Sequence, residues 1–148
     1  MLGLNVEDTI AAIASPHGSG LRGIIRISGV DCVECLRKVF RVETCTSRNV
    51  AIEASYSTTD SFPASTRRPY RLPVSIELDG DSGWRLGLPG ELLVWPSVQS
   101  YTRQPSAEFH TFGSQPLLTK ALKQICAAGA RPALPGEFTL RAFLSGRI

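Results

Sequence analysis

The sequence predicts an α+β fold: a mixed, largely antiparallel β-sheet with about three helices. Short segments rich in β-branched residues occur among segments whose apolar residues recur every three or four positions. The two kinds of segment do not alternate regularly, as they would in a parallel βαβ sheet. The composition is that of a globular domain, since 43% of the 148 residues are hydrophobic and 20% are charged.

The predicted strands lie in both halves of the chain. Apolar, β-branched segments bounded by turn residues are typical of strands. Five are predicted, at residues 9–14, 22–28, 71–78, 91–95 and around 108–110. The DGDSG segment between the third and fourth predicts a hairpin turn.

Helical periodicity predicts helices at about residues 31–40, within 114–129 and at 137–144. The last is short, so we expect it to dock through an apolar face. That face is formed by Phe138, Leu140, Ala142, Phe143 and Leu144. Glu137 and Arg141, four residues apart, are expected to pair on the other face and to add a few tenths of a kcal/mol, roughly. Gly146 suits the left-handed position that follows a helix.

The length favours a single domain over residues 1–148. Residues 41–69 are rich in Ser and Thr and show little periodicity, so we expect a loop-rich segment there. Within it, residues 50–57 are a candidate strand and 61–69 a surface loop.

Charge and hydropathy exclude several classes of protein. The net charge of +3 is too small to indicate nucleic-acid binding by itself, although 13 of the 16 basic residues are arginines. No apolar run has the roughly 18 residues of a membrane span, and the N-terminus lacks the basic start of a signal peptide. We therefore expect a cytoplasmic protein with no membrane association.

Two short motifs are interpreted as structural. Cys32 and Cys35 have CxxC spacing, but no second pair follows at zinc-site spacing, so we interpret them as ordinary helix cysteines. Residues 18–23 match GxGxxG, but a strand rather than a helix follows, which favours a tight turn over a dinucleotide site. His17 and His110 have no neighbouring ligand set and are interpreted as incidental. No metal site is predicted.

The chain contains no P-loop motif, so it cannot carry P-loop nucleotide hydrolysis by itself, and we expect no catalysis from it. Three charged residues stand out by their positions. Arg26 lies in an apolar strand, Glu108 lies in a short strand, and Arg147 follows the last helix. A buried charge is costly unless it is paired. One interpretation is therefore a structural salt bridge among some of these residues.

Two segments carry a specific resemblance. TIAAIASPHGSGLRGIIRISG and ARPALPGEFTLRAFLSGRI, within residues 8–29 and 130–148, resemble the N-terminal domain of the tRNA-modification GTPases, the MnmE or TrmE family. That family opens with D-T-I-A-A-x-A-[ST]-P-x-G-x-G, which leads into I-x-R-x-S-G. It closes with A-x-P-G-E-F-[ST]-x-R-A-F-L-N-G-[KR]-[LI].

The resemblance implies the tetrahydrofolate-binding fold shared with the glycine-cleavage T protein. It implies a homodimer that binds 5-formyltetrahydrofolate, or a related tetrahydrofolate, at the dimer interface. In the family, a helical domain and a GTPase domain follow, and the full protein modifies the wobble uridine of tRNA with an FAD-dependent partner protein. Because the sequence ends just before the family's helical domain begins, we expect it to be a fragment of a longer chain.

The resemblance also implies the site residues. The family's folate contacts fall on Arg26, Glu108 and Arg147, with Glu108 expected at the amino edge of the pterin and both arginines at oxygen-bearing groups. The chain departs from the family at residues 101–105, at 112–114 and in an expansion over 41–66. Three alternatives stay open: a one-carbon-transfer domain of the glycine-cleavage T type, a diverged dimerisation module without folate, and direct RNA binding by the arginine-rich surface.

Overall fold

The structure is a computed structural model that describes residues 6–43 and 61–148, and it confirms the α+β prediction. The helices are α1 (Cys32–Val39), α2 (Gln115–Ala127) and α3 (Glu137–Leu144). The strands are β1 (Ile10–Ile13), β2 (Gly20–Ser28), β3 (Phe40–Val42), β4 (Tyr70–Asp79), β5 (Arg85–Trp95), β6 (Ser106–Gly113) and β7 (Arg131–Pro132). The candidate strand at 50–57 lies outside the described residues.

The strands form one mixed sheet in the order β3-β4-β5-β6-β2-β1-β7. Every neighbouring pair is antiparallel except β1 and β7, which are parallel. β3 and β7 were not predicted, because strands of three and two residues are too short to show a period. No helix follows the segment 18–23, which confirms that it is not a dinucleotide-binding turn. The predicted tight turn is wrong for residues 20–23, because they belong to β2, where the pairing with β6 is irregular between Gly20 and Gly23.

The core lies between the sheet and helices α1 and α2. Ile25, Ile27 and Phe109 of the sheet and Leu118 and Ile125 of α2 are fully buried there. None of the helices in the described ranges is long and apolar enough to cross a bilayer. Every second side chain of β2 and β6 packs in this core. The side chains between them therefore point to the opposite face of the sheet.

Cys32 and Cys35 lie buried on α1, as predicted, and burial raises the pKa of both thiols. A raised pKa keeps each thiol protonated at neutral pH, and the thiolate is the form that reacts or binds metal. The structure therefore supports their interpretation as packing residues.

Helix α3 docks through a face that coincides only in part with the one predicted. Ala142 is buried and Phe138 is half-buried, as predicted, but Leu140, Phe143 and Leu144 are exposed. In their place Glu137 and Arg141 are almost fully buried, at 1% and 2% exposure. The reason is a tertiary ion network that the helix sequence alone does not reveal. Arg131 bridges Asp8 (Nε–Oδ2, 2.6 Å) and Glu137 (Nη2–Oε1, 2.6 Å), and Arg141 contacts the same two acids.

Hydrogen bonds donated by Arg131 lower the pKa of the Glu137 carboxyl to about 2, although burial raises it. Hydrogen bonds from the Leu134 amide and from Arg141 also lower this pKa. Burial raises the pKa of Asp8, but its hydrogen bonds to the two arginines outweigh burial and lower it. At neutral pH the network therefore pairs two carboxylates with two guanidinium groups. It fixes α3 against the chain around Asp8 and β7.

The predicted helix stop is confirmed. Gly146 has φ of +71°, the left-handed conformation that glycine adopts without steric cost. The Arg147 amide then donates to the Ala142 carbonyl at 2.9 Å, which turns the chain back over the end of α3.

Candidate functional site

A pocket of about 490 Å³ lies on the face of the sheet opposite the core. It is bounded by β2, β6, the segment that follows β5, and α3 with the residues after it. Arg26, Glu108 and Arg147, the three residues predicted from the sequence, all line it. The other lining residues are Trp95, Gln99, Ser100, Tyr101, Thr102, Ser106, Ala107, Phe138 and Thr139.

Arg26 and Glu108 form an ion pair across two adjacent strands. They are direct partners in the antiparallel register of β2 and β6, so their side chains emerge side by side. Arg26 Nε and Nη2 both donate to Glu108 Oε1, at 3.1 and 2.9 Å. The guanidinium carbon also lies 5.8 Å from the centre of the Phe138 ring, within range of a cation–π contact.

His110 contacts the second oxygen of the same carboxylate, a contact that was not predicted from the sequence. Its Nε2 lies 3.0 Å from Glu108 Oε2, and only 14% of the His110 side chain is exposed. Among the described residues, its buried Nδ1 has no hydrogen-bond partner. The spacing from Glu108 could have revealed the contact, because residues i and i+2 of a strand share a face.

The surroundings keep Glu108 ionised. Burial raises the pKa of this carboxyl, but the hydrogen bonds from His110 and Arg26 outweigh burial and hold it below its usual value. A carboxylate offers about four lone-pair sites, and these three hydrogen bonds occupy three of them. Glu108 therefore presents a fixed negative charge with room for one further donor, or for two if Arg26 releases one bond.

The segment 101–105, where the chain departs from the family pattern, keeps a glycine-like backbone. Arg103 has φ of +57°, a left-handed conformation that is uncommon for residues other than glycine. Its Nη2 donates to the Gly146 carbonyl at 3.3 Å, which connects this segment to the residue before Arg147.

A buried cluster of hydroxyl groups holds the same segment to the sheet. Thr102 Oγ1 lies 2.6 Å from Ser28 Oγ, and Ser28 Oγ lies 2.9 Å from Ser106 Oγ. Thr102 and Ser106 also line the pocket, so the cluster fixes the position of its wall.

Aromatic rings form part of the lining, and sequence reasoning did not assign them to the site. Trp95 ends β5, Tyr101 lies in the segment after it, and Phe138 lies in the first turn of α3. No local pattern distinguishes these from structural aromatics, because they are brought together only by the tertiary fold. Within the described ranges, no group of three or more His, Cys, Asp or Glu side chains is placed to hold a metal ion.

Comparisons with known proteins agree with the sequence motifs. The family model described as the N-terminus of the GTP-binding protein TrmE matches residues 9–147. The tRNA modification GTPase MnmE of Rhodopirellula baltica is 43% identical over 144 residues, which cover 96% of this chain and 26% of the relative. The MnmE proteins of Roseiflexus castenholzii and Thermus thermophilus are 36% and 31% identical, over 96% and 98% of this chain and 26% and 29% of theirs. The chain thus spans about a quarter of the length of these curated relatives.

Proposed function

The chain belongs to the family of TrmE N-terminal domains, and from that membership we propose that it is the dimerisation and folate-binding domain of a GTPase that modifies the wobble uridine of tRNA. Its ligand is 5-formyltetrahydrofolate or a related tetrahydrofolate, bound in the pocket around Glu108. The chain itself carries out no catalysis. The whole protein acts in the cytoplasm on tRNA, together with an FAD-dependent partner. Of the two folate-related functions that the sequence left open, the family match favours this one over the glycine-cleavage T type.

The observation that carries the ligand proposal is the ionised, oriented carboxylate of Glu108 in a pocket with aromatic walls. The amino edge of a pterin presents neighbouring N–H groups, which a carboxylate accepts well. Trp95, Tyr101 and Phe138 offer faces for flat rings. The pocket volume of about 490 Å³ lies within the range of small-molecule sites.

In our proposal the ion pair between Arg26 and Glu108 serves both a structural role and a binding role. Arg26 and His110 hold Glu108 ionised and oriented, and Arg26 releases one hydrogen bond when the pterin donates two. Arg147, exposed at the rim, then faces a carbonyl or carboxylate oxygen of the ligand.

Exposed apolar residues support the dimer part of the proposal. Leu21 is fully exposed and Phe112 is 58% exposed. They come from adjoining ends of β2 and β6, where Gly20 pairs with Gly113. Large apolar side chains that lie together on a surface favour contact with another protein surface.

Calorimetric titration with 5-formyltetrahydrofolate tests the ligand proposal, with light scattering on the same sample to measure the oligomeric state. We expect a dimer that binds the folate. We expect Glu108→Gln to weaken binding roughly 10- to 100-fold, the range for losing a hydrogen bond to a charged group. Glu77→Gln is the matched control, because Glu77 lies on β4 outside the pocket and pairs with exposed arginines.

Each part of the proposal has its own contradicting result. A dimer that gives no heat at high protein concentration would contradict folate binding and favour a dimerisation module without a ligand. Folate binding that is equal in Glu108→Gln and the unmodified protein would show that Glu108 is not at the pterin edge. A monomer at the titration concentration would contradict dimerisation through this domain.

A further inference from the structure

We propose that Arg67 and Arg68 form a second anion site, which binds the carboxylates of a poly-γ-glutamyl tail on the ligand of the pocket. This inference rests on the proposed folate function and adds to it the class of folate that is preferred. It concerns a groove that lies outside the residues predicted from the sequence.

The arginine groove is a cavity of about 720 Å³ next to the pocket. Arg67 and Arg68 form one side, and the other side is formed by residues from the segments that follow β5 and precede β6: Pro96, Ser97, Val98, Gln99 and Pro105. Gln99 lines both cavities, and Trp95 of the pocket is followed directly by Pro96 of the groove. A ligand that fills the pocket can therefore continue into the groove.

The strand register gives the direction and the distance. Glu108 pairs with Leu93 of β5, and Pro96 follows Leu93 by three residues. At roughly 3.3 Å per residue, Pro96 lies about 10 Å along the strand direction from Leu93. Tyr70 is level with Val94, and Arg68 precedes Tyr70 at the same end of the sheet. A folate has its glutamate at the end opposite the pterin. In this inference the pterin lies at Glu108 and the glutamate end extends past Gln99, which lines both cavities, into the groove.

The charge of the groove is unbalanced. Arg67 and Arg68 are both exposed, and neither forms an ion pair with any acid in the described ranges. Among the residues that the structure describes, none of those that line the groove is acidic. Two adjacent guanidinium groups repel each other, so an anion between them is favoured, and the planar guanidinium is well suited to carboxylates.

A chain of carboxylates fits this arrangement better than a single one. A monoglutamyl folate carries its carboxylates at one end only, whereas each further γ-linked glutamate adds one carboxylate along an extended chain. Two consecutive arginines next to the exit of the pocket can contact carboxylates of such a chain in succession. Because the anion would be attached to the ligand, its binding depends on the occupied pocket.

The test compares the affinities of 5-formyltetrahydrofolate with one and with three glutamates, measured by calorimetry on the purified protein. We expect the triglutamate to bind about fivefold more tightly, the combined effect of two exposed ion pairs. We expect this gain to vanish in 0.5 M salt, roughly, where the Debye length falls to a few ångströms. We expect Arg67→Gln/Arg68→Gln to lose the gain and to keep the affinity for the monoglutamate.

The matched control is Arg41→Gln/Lys123→Gln, which removes the same charge at exposed positions that line neither cavity. We expect this control to keep the gain.

Equal binding of both folates by the unmodified protein would overturn the inference and leave the folate proposal standing. The same loss in both double variants would also overturn it, because the gain would then reflect overall charge. If Arg67→Gln/Arg68→Gln keeps the glutamate gain but loses affinity for tRNA, the groove binds phosphates and the inference is wrong. If neither folate binds the unmodified dimer, the folate proposal fails and this inference fails with it.

Discussion

Replacing Glu137 with glutamine tests whether the buried ion network holds α3 in place. Glu137 is 1% exposed and accepts hydrogen bonds from Arg131 at 2.6 and 2.9 Å and from the Leu134 amide at 2.8 Å. Glutamine has nearly the same shape but no charge. The variant therefore removes one of the two carboxylates that pair with Arg131 and Arg141 in the described network and leaves Asp8.

The magnitude follows from the depressed pKa. The carboxyl pKa of Glu137 falls from 4.5 to about 2, and at about 1.4 kcal/mol for each pH unit this corresponds to about 3 kcal/mol of stability at neutral pH. Breaking a buried ion pair by removing one partner costs a similar amount, about 3–5 kcal/mol. We expect the free energy of unfolding to fall by about 3 kcal/mol and Tm by roughly 10 °C.

The pH dependence has a definite sign. Because the folded-state pKa is lowered, the contribution of Glu137 is fully present above pH 4.5 and is lost as the pH falls through about 2. The difference between the unmodified protein and Glu137→Gln should therefore be constant near neutral pH. It should shrink to about 40% of that value at pH 3.

Urea unfolding followed by circular dichroism at pH 7 and pH 3 measures both effects. Glu34→Gln is the control, because Glu34 pairs with Lys38 at 3.5 Å on the exposed surface of α1, and its loss should cost less than about 0.5 kcal/mol. A cost below about 1 kcal/mol for Glu137→Gln at pH 7 would refute the reasoning. So would a difference between the unmodified protein and the variant that does not change with pH.

Two backbone positions give further predictions, each with its own control and measured by the same urea unfolding. Arg103→Gly should stabilise the protein by up to about 1 kcal/mol, because it removes the cost of a left-handed arginine. The control Arg103→Ala keeps that cost and should give no gain. Equal effects of the two substitutions would contradict strain at this position. Gly23→Ala should destabilise by about 1–3 kcal/mol, since a Cβ there would lie 2.7 Å from the Leu118 side chain and 2.8 Å from the Phe112 carbonyl oxygen. Gly87→Ala meets nothing within 4 Å and should be nearly neutral. A neutral Gly23→Ala would show that α2 shifts freely away from β2.

Several features of the fold follow from local sequence alone. The apolar periods predicted all three helices and the longer strands, and the glycine at position 146 predicted the end of α3. Two ordered motifs identified the family, which the family match confirmed. The family motif also selected Arg26, Glu108 and Arg147, and these three residues line one pocket. Their contact with folate stays a prediction.

The sequence by itself determined the elements and the family, because capping, periodicity and motif spacing depend on neighbouring residues. The tertiary structure alone decided which face of α3 is buried, because Asp8 meets Arg131 across 123 positions of sequence and no local pattern carries that pairing. The same holds for the groove beside Gln99, since the pairing of β4 with β5 brings Arg67 and Arg68 to the end of the sheet next to the pocket. Long-range charge pairing and strand register thus determine which of the predicted side chains line the pocket and which support the fold.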